Sequence, residues 1–266
     1  MRSLRFVVVF VACAPAAGGP PPPSGAAAPG ANAAPVQTES NEASYKSAIA
    51  AFDYAKAYAS AAAWLKAEPT SVEAALAVAN AGNAQADLAK SDEETDVWVG
   101  RSLAALDPFR AKTEAASQTA HTGEVQYFVA EALALRARTK GTGAIAIIPE
   151  VAQAGEIALK LTPDFMEGAP QRLMGMVLSK APPWPHGPGD PERGLKLLQD
   201  AAEKFPRRSE GYAHVADVML DQSRVQDASR SLQKAKELVG ASPRAKKLYA
   251  EVAERMKTNK KIKKYD

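Results

Sequence analysis

The sequence predicts an all-α protein, an array of antiparallel helix pairs behind an N-terminal leader and a linker. Three observations predict it. Apolar residues recur at intervals of three and four from residue 41 onward. Capping side chains stand before proline at several sites, as they do at helix starts. A phrase ending in proline returns along the chain: WLKAEP at 64–69, LAALDP at 103–108, ALKLTP at 158–163 and AEKFP at 202–206.

The leader comes first. Arg2 and Arg5 precede the apolar run Phe6–Ala12, which is too short for the roughly 20 residues of a membrane-spanning helix and suits a signal peptide. The stretch Phe10–Val11–Ala12–Cys13 resembles a bacterial lipobox, in which cleavage leaves a diacylated cysteine at the new N-terminus; Ala14–Pro15–Ala16 is a looser site for ordinary signal peptidase. Cys13 is the chain's single cysteine, so a disulfide framework within the chain and a multi-cysteine zinc site are excluded. Two or three acyl chains, at about 0.8 kcal/mol per buried CH₂, hold a protein on a membrane where one does not. Residues 1–12 therefore read as a lipoprotein signal peptide and Cys13 as the lipidation site. Removing the leader deletes Arg2 and Arg5 and takes the formal charge from +3 to +1.

Residues 13–40 follow as a linker. Positions 14–40 hold seven of the 19 prolines, one charge (Glu39) and almost no large apolar residue. Such a segment buries too little surface to offset chain entropy and is expected to stay disordered or extended. Its reach is roughly 80 Å if polyproline-like and about 30 Å as a coil.

From residue 41 to 257 the pattern is helical, and ten or eleven helices of 12–20 residues are expected. Leu195, Leu198, Ala202 and Phe205 make one apolar stripe; Tyr212, Val215, Ala216 and Met219 make a second; Val225, Ala228, Leu232, Ala235 and Val239 make a third. Asp107–Pro108, Thr162–Pro163, Asp190–Pro191 and Ser242–Pro243 read as helix starts. Ser91 with Glu94 reads as a capping box. Ala144–Ile148 is the one short candidate for a strand, and it runs into Pro149.

The proline of the recurring phrase returns after 39, 55 and 43 residues, with 37 more to Pro243. These intervals lie near the 34-residue tetratricopeptide period, lengthened by insertions. The fit is sharpest at 209–242, where small residues (Ala216, Ala228, Ala235) and large ones (Met219, Leu232) alternate as close helix packing requires. The expected fold is a tetratricopeptide-like array winding as a right-handed superhelix. A basic tail, 258–266, is expected to fray, with anionic lipid as a second possibility for its lysines.

One insertion interrupts the array. Residues 181–190, APPWPHGPGD, combine four prolines, two glycines, a tryptophan and a histidine, which predicts an ordered surface loop. Trp184 is expected to pack down over the adjoining helix pair as a staple. The competing reading makes Trp184 and His186 a recognition pair, completed by Glu210, His214 and Asp217 on the polar side of the following repeat's first helix.

The lipobox, the helical body and the segment PPWPHGPGDPERGLKLLQDAAEKFPRRSEGYAHVADVML resemble the T-component proteins associated with TRAP transporters, over roughly residues 150–240. The resemblance implies a non-enzymatic periplasmic lipoprotein that partners a solute-binding protein and encloses an apolar ligand channel. The family's Gly-Gly-Asp step is interrupted by Pro188 in this chain.

Composition narrows the function further. A net charge of +3 from 33 basic and 30 acidic residues gives no basic face of the kind nucleic acid requires. Gly141–Thr142–Gly143 lacks the continuation of a phosphate loop, and Gly-x-Ser-x-Gly does not occur. The three histidines lie far apart, and no cofactor, metal or catalytic set is expected. The sequence reads as a membrane-anchored scaffold of the bacterial cell envelope, on the outer more than the inner membrane, facing the periplasm. Its expected partner is a protein or extended peptide. The alternative is a solute-transport accessory.

Overall fold

Alanine, more than any large side chain, sets the spacing of this fold. The computed structural model describes residues 40–115 and 120–262. The signal peptide, Cys13 and nearly all of the linker lie outside the described residues. Among the described residues there are eleven α-helices and one 3₁₀ turn: α1 (Asn41–Ala50), α2 (Tyr54–Ala67), α3 (Val72–Leu88), α4 (Asp92–Ala115), α5 (Ala120–Thr139), the 3₁₀ turn Gly141–Ala146, α6 (Ile148–Leu161), α7 (Ala169–Lys180), α8 (Pro191–Lys204), α9 (Ser209–Asp221), α10 (Val225–Leu238) and α11 (Pro243–Ile262).

Consecutive helices pack as antiparallel pairs, α3 with α4, α5 with α6, α7 with α8 and α9 with α10. The all-α array read from the sequence is therefore present. The pairs form two layers. Helices α3, α7 and α9 are buried over most of their length, including eleven residues of α9, whereas α8 buries five and α10 four. A helix buried on all sides belongs to the inside, and one with a single apolar stripe to the outside. The inner helices pack in sequence, α3 on α5, α5 on α7, α7 on α9 and α9 on α11. The last contact returns to the start: α11 packs on α3, so the inner layer closes on itself.

The repeat is also written in ion pairs. Arg110–Glu150, Arg193–Glu156 and Lys204–Asp164 lie at 2.7, 2.7 and 2.6 Å, and Lys140–Asp96 and Lys180–Asp221 are bonded likewise. Their partners stand 37–44 residues apart, which is the period of one helix pair with its loops.

Local signals succeed where capping chemistry is complete. Asp190 accepts from Arg193 N at 3.0 Å, and Ser242 from Ala245 N at 3.3 Å, each before a proline at the first helical position. Ser91 Oγ accepts from Glu94 N at 3.1 Å, while Glu94 reaches back to Lys90 N rather than to Ser91 N. Two expected starts are corrected. Pro108 lies inside α4, which continues past it to Ala115, so Asp107 opens no helix. After Thr162 the chain makes a turn, and α7 begins at Ala169 behind Gly168, whose φ is +79°. There Phe165 N bonds Thr162 O and Gly168 N bonds Asp164 O, so the backbone is already satisfied without a helix at Pro163. The strand candidate Ala144–Ile148 is a 3₁₀ turn leading into α6, with Pro149 in the first turn of that helix. The C-terminal helix runs to Ile262, past the expected start of the tail at 258.

Candidate functional site

The loop between α7 and α8 is held from within. His186 N donates to Pro183 O at 3.0 Å, Gly189 N to Pro182 O at 2.9 Å, and Asp190 N to Leu178 O at 2.9 Å. Gly189 is required by this closure, since a Cβ there would stand 2.2 Å from Ala181 O. Four prolines fix φ along the same stretch, so little conformational freedom remains. The braced loop holds Trp184 outward at 86% exposure, with His186 exposed beside it. The expected staple is thus corrected: the indole covers no helix pair. The backbone bonds of the loop do the bracing that packing of the ring was expected to do.

The other predicted members of the patch lie elsewhere. Glu210, His214 and Asp217 are 4%, 0% and 0% exposed, because α9 is an inner helix with neighbours on every side. Glu210 accepts from Ser209 Oγ at 3.3 Å and lines a cleft of about 160 Å³ beside Phe52, Arg207 and Ser242. Asp217 faces Lys180 Nζ at 2.7 Å and also pairs with Arg255. These three do not join Trp184 and His186 in an exposed patch. The sequence marked them as a polar face without showing that α7 and α11 cover it.

A second polar centre lies where α3, α5 and α11 meet. Arg244, wholly buried, places Nε 2.9 Å from Asp87 Oδ2 and Nη2 2.9 Å from Glu131 Oε1. Arg138 Nη1 meets Asp87 Oδ1 at 2.9 Å, and Lys247 bonds the Asp87 carbonyl. Asn83 Nδ2 donates to Glu131 Oε2 at 3.0 Å and to Phe128 O at 3.1 Å. Burial would raise the Asp87 carboxyl, but the charges of Arg244, Arg138 and Lys247 hold it below the usual range. For Glu131 burial wins over the attraction of Arg244, and its carboxyl is pushed up. Burial opposes the Arg244 charge too, yet Glu131 and Asp87 keep it above its ordinary value. Sequence reasoning passed over all three residues. The available signal was in α3: Asn80, Asn83 and Asp87 recur on one face of an otherwise alanine-rich helix.

At this point the interior is filled: Arg244 at the start of α11 reaches Asp87 of α3 and Glu131 of α5. The space where these side chains meet holds a charged cluster rather than the leucine, methionine and phenylalanine lining of an apolar channel.

A third feature lies at the surface of α2 and α4. The rings of Tyr58 and Trp98 meet edge to face with centroids 4.9 Å apart, and the Arg101 guanidinium stands 4.5 Å from the Trp98 centroid. Both rings are half-buried and Arg101 is exposed above them. Among the described residues no group of three or more histidine, cysteine or acidic side chains is placed to hold a metal ion, and no helix is long and apolar enough to cross a membrane.

The fold and these sites define a class: a helical-pair array that buries a charged cluster between its inner helices and, among the described residues, displays a braced aromatic loop. No protein-family model matches the chain, and no curated protein matches it. Among solved structures it is similar to the crystal structure of yeast Tom70, at 15% identity and a TM-score of 0.47. The match covers 85% of this chain and 42% of that one, so this chain spans less than half the length of its neighbour.

Proposed function

We propose that the chain is a non-enzymatic scaffold of the bacterial cell envelope that recognises a protein partner through the Trp184 loop. A lipid on Cys13 holds it at the membrane, and residues 14–40 form the tether. The observation that supports the reading is the 86% exposure of Trp184 on a loop braced at both ends. Tryptophan in a fixed position loses little conformational entropy on contact, which is why it recurs at the centres of protein interfaces. An indole covers roughly 150–250 Å², about 4–6 kcal/mol of apolar burial when a partner covers it fully. His186 supplies the orienting polar group next to it. The lipobox resemblance at 10–13 supports the anchor.

Three versions of the full chain, expressed in a bacterial envelope, test both parts: the natural sequence, Trp184→Ala and Cys13→Ser. The Trp184→Ala protein is expected to keep its unfolding midpoint, with a stability change within about 0.5 kcal/mol, and to lose the partner cross-linked by the natural protein. A loss of several kcal/mol, or undiminished cross-linking, overturns the recognition role. The Cys13→Ser protein is expected to lose fatty-acid labelling; labelling that persists removes the anchor from the account.

A further inference from the structure

The seam between α11 and helices α3 and α5 differs in chemistry from the other side of α11. Along one stripe, Ala245, Leu248, Val252 and Met256 are buried, and the last three join the apolar core that holds α9 and α10. About a quarter-turn around the helix, Arg244, Lys247 and Glu251 form a charged stripe. It faces a surface of opposite sign: α11 brings two cations and one carboxylate, while α3 and α5 bring Asp87, Glu131 and the cation Arg138.

The match is incomplete. Arg244 Nη1 and Asn83 Oδ1 are buried without a hydrogen-bond partner. Buried polar atoms left in this state weaken an interface relative to one that satisfies them. A seam of charges also opens at lower cost than an apolar one, because water solvates both faces once they part. Whatever replaces α11 meets two carboxylates and an amide already fixed in position by α3 and α5.

We propose that this seam is a partner-binding surface held shut by the chain's own last helix. Asn83, Asp87 and Glu131 form a receptor for the cationic face of a helix, and α11 fills it until a basic helix of a partner displaces it. The helix that fits presents an arginine and a lysine three residues apart, the spacing of Arg244 and Lys247. The proposal stands on different residues from the Trp184 reading, and either holds without the other.

Two measurements on the full chain test it. In native-state hydrogen exchange, the α11 amides are expected to open in a partial step and exchange at least ten-fold faster than those of α5. In the second, a fluorescein-labelled peptide with the sequence of residues 241–258 is titrated with the protein and followed by anisotropy. Replacing its arginine and lysine (Arg244→Gln, Lys247→Gln) is expected to weaken binding at least ten-fold. The same peptide is expected to bind a full-length Arg244→Gln protein at least ten-fold more tightly than the natural chain, since the competing helix is then poorly held. Equal protection of α11 and α5, a peptide that does not bind, or one that binds equally well without its two cations overturns the proposal. Should the Arg244→Gln chain fail to fold, exchange and peptide binding on the natural chain decide the matter.

Discussion

At Lys180, burial and charge pull in opposite directions. Its amine is nearly covered at the end of α7, between Asp217 and Asp221. Burial wins, and draws it from the usual 10.5 down to about 8, against the attraction of Asp221. Between those two values the unfolded chain still holds a proton that the folded chain has released. Stability therefore rises with pH across this window, as far as this group is concerned. Unfolding measured from pH 7.5 to 10.5 is expected to show that rise in the natural chain and a smaller one in Lys180→Met. Identical slopes would show that Lys180 does not titrate early. Asp217 illustrates the limit of reading residues one at a time. Its position on a polar face was visible in the sequence; that α7 and α11 would cover the face was not, because the side chains that meet it, Lys180 and Arg255, lie 37 and 38 residues away.

At the scale of elements, close packing depends on where side chains are missing. Helices α7 and α8 touch through Gly175 and Gly194: a Cβ on Gly194 would stand 2.7 Å from Gly175 O and 2.3 Å from Ser179 Oγ. Neither glycine has a positive φ, so the requirement is space rather than backbone conformation. Gly194→Ala is expected to destabilise the protein by about 1–3 kcal/mol through overpacking, despite alanine's better helix propensity. Chemical unfolding checks it, and a stabilised variant would mean that the helices separate without cost. Helix boundaries were legible where a cap and a proline act together within four residues, as at Asp190 and Ser242. They were misread at Pro108 and Pro163. Inside α4 the helix tolerates the loss of one N–H, and after Thr162 the turn bonds its own backbone. Proline marks a possible boundary, and the surrounding hydrogen bonds decide whether it becomes one.

For the whole molecule, the paired array was legible because its signals are periodic and local. Closure was not. The contacts that make it join Arg244 to Asp87 across 157 residues and to Glu131 across 113. No spacing rule reaches that far. The competing sequence reading joined Trp184 and His186 to Glu210, His214 and Asp217 of α9, but the structure buries those three and leaves the α7–α8 loop exposed without them. The exposed pairs of that spacing, Arg193–Glu156 and Lys204–Asp164, follow the repeat but are individually weak. The buried cluster ties the last inner helix to α3 and α5. A double-mutant cycle across Arg244 and Asp87 tests this closure most directly. Arg244→Met and Asp87→Asn are each expected to lose about 3–5 kcal/mol in chemical unfolding, because each leaves a buried charge without its partner. Together they are expected to lose less than the sum by at least about 1 kcal/mol. Losses that add to within about 0.5 kcal/mol would contradict contact between the two residues, and with it the closed array.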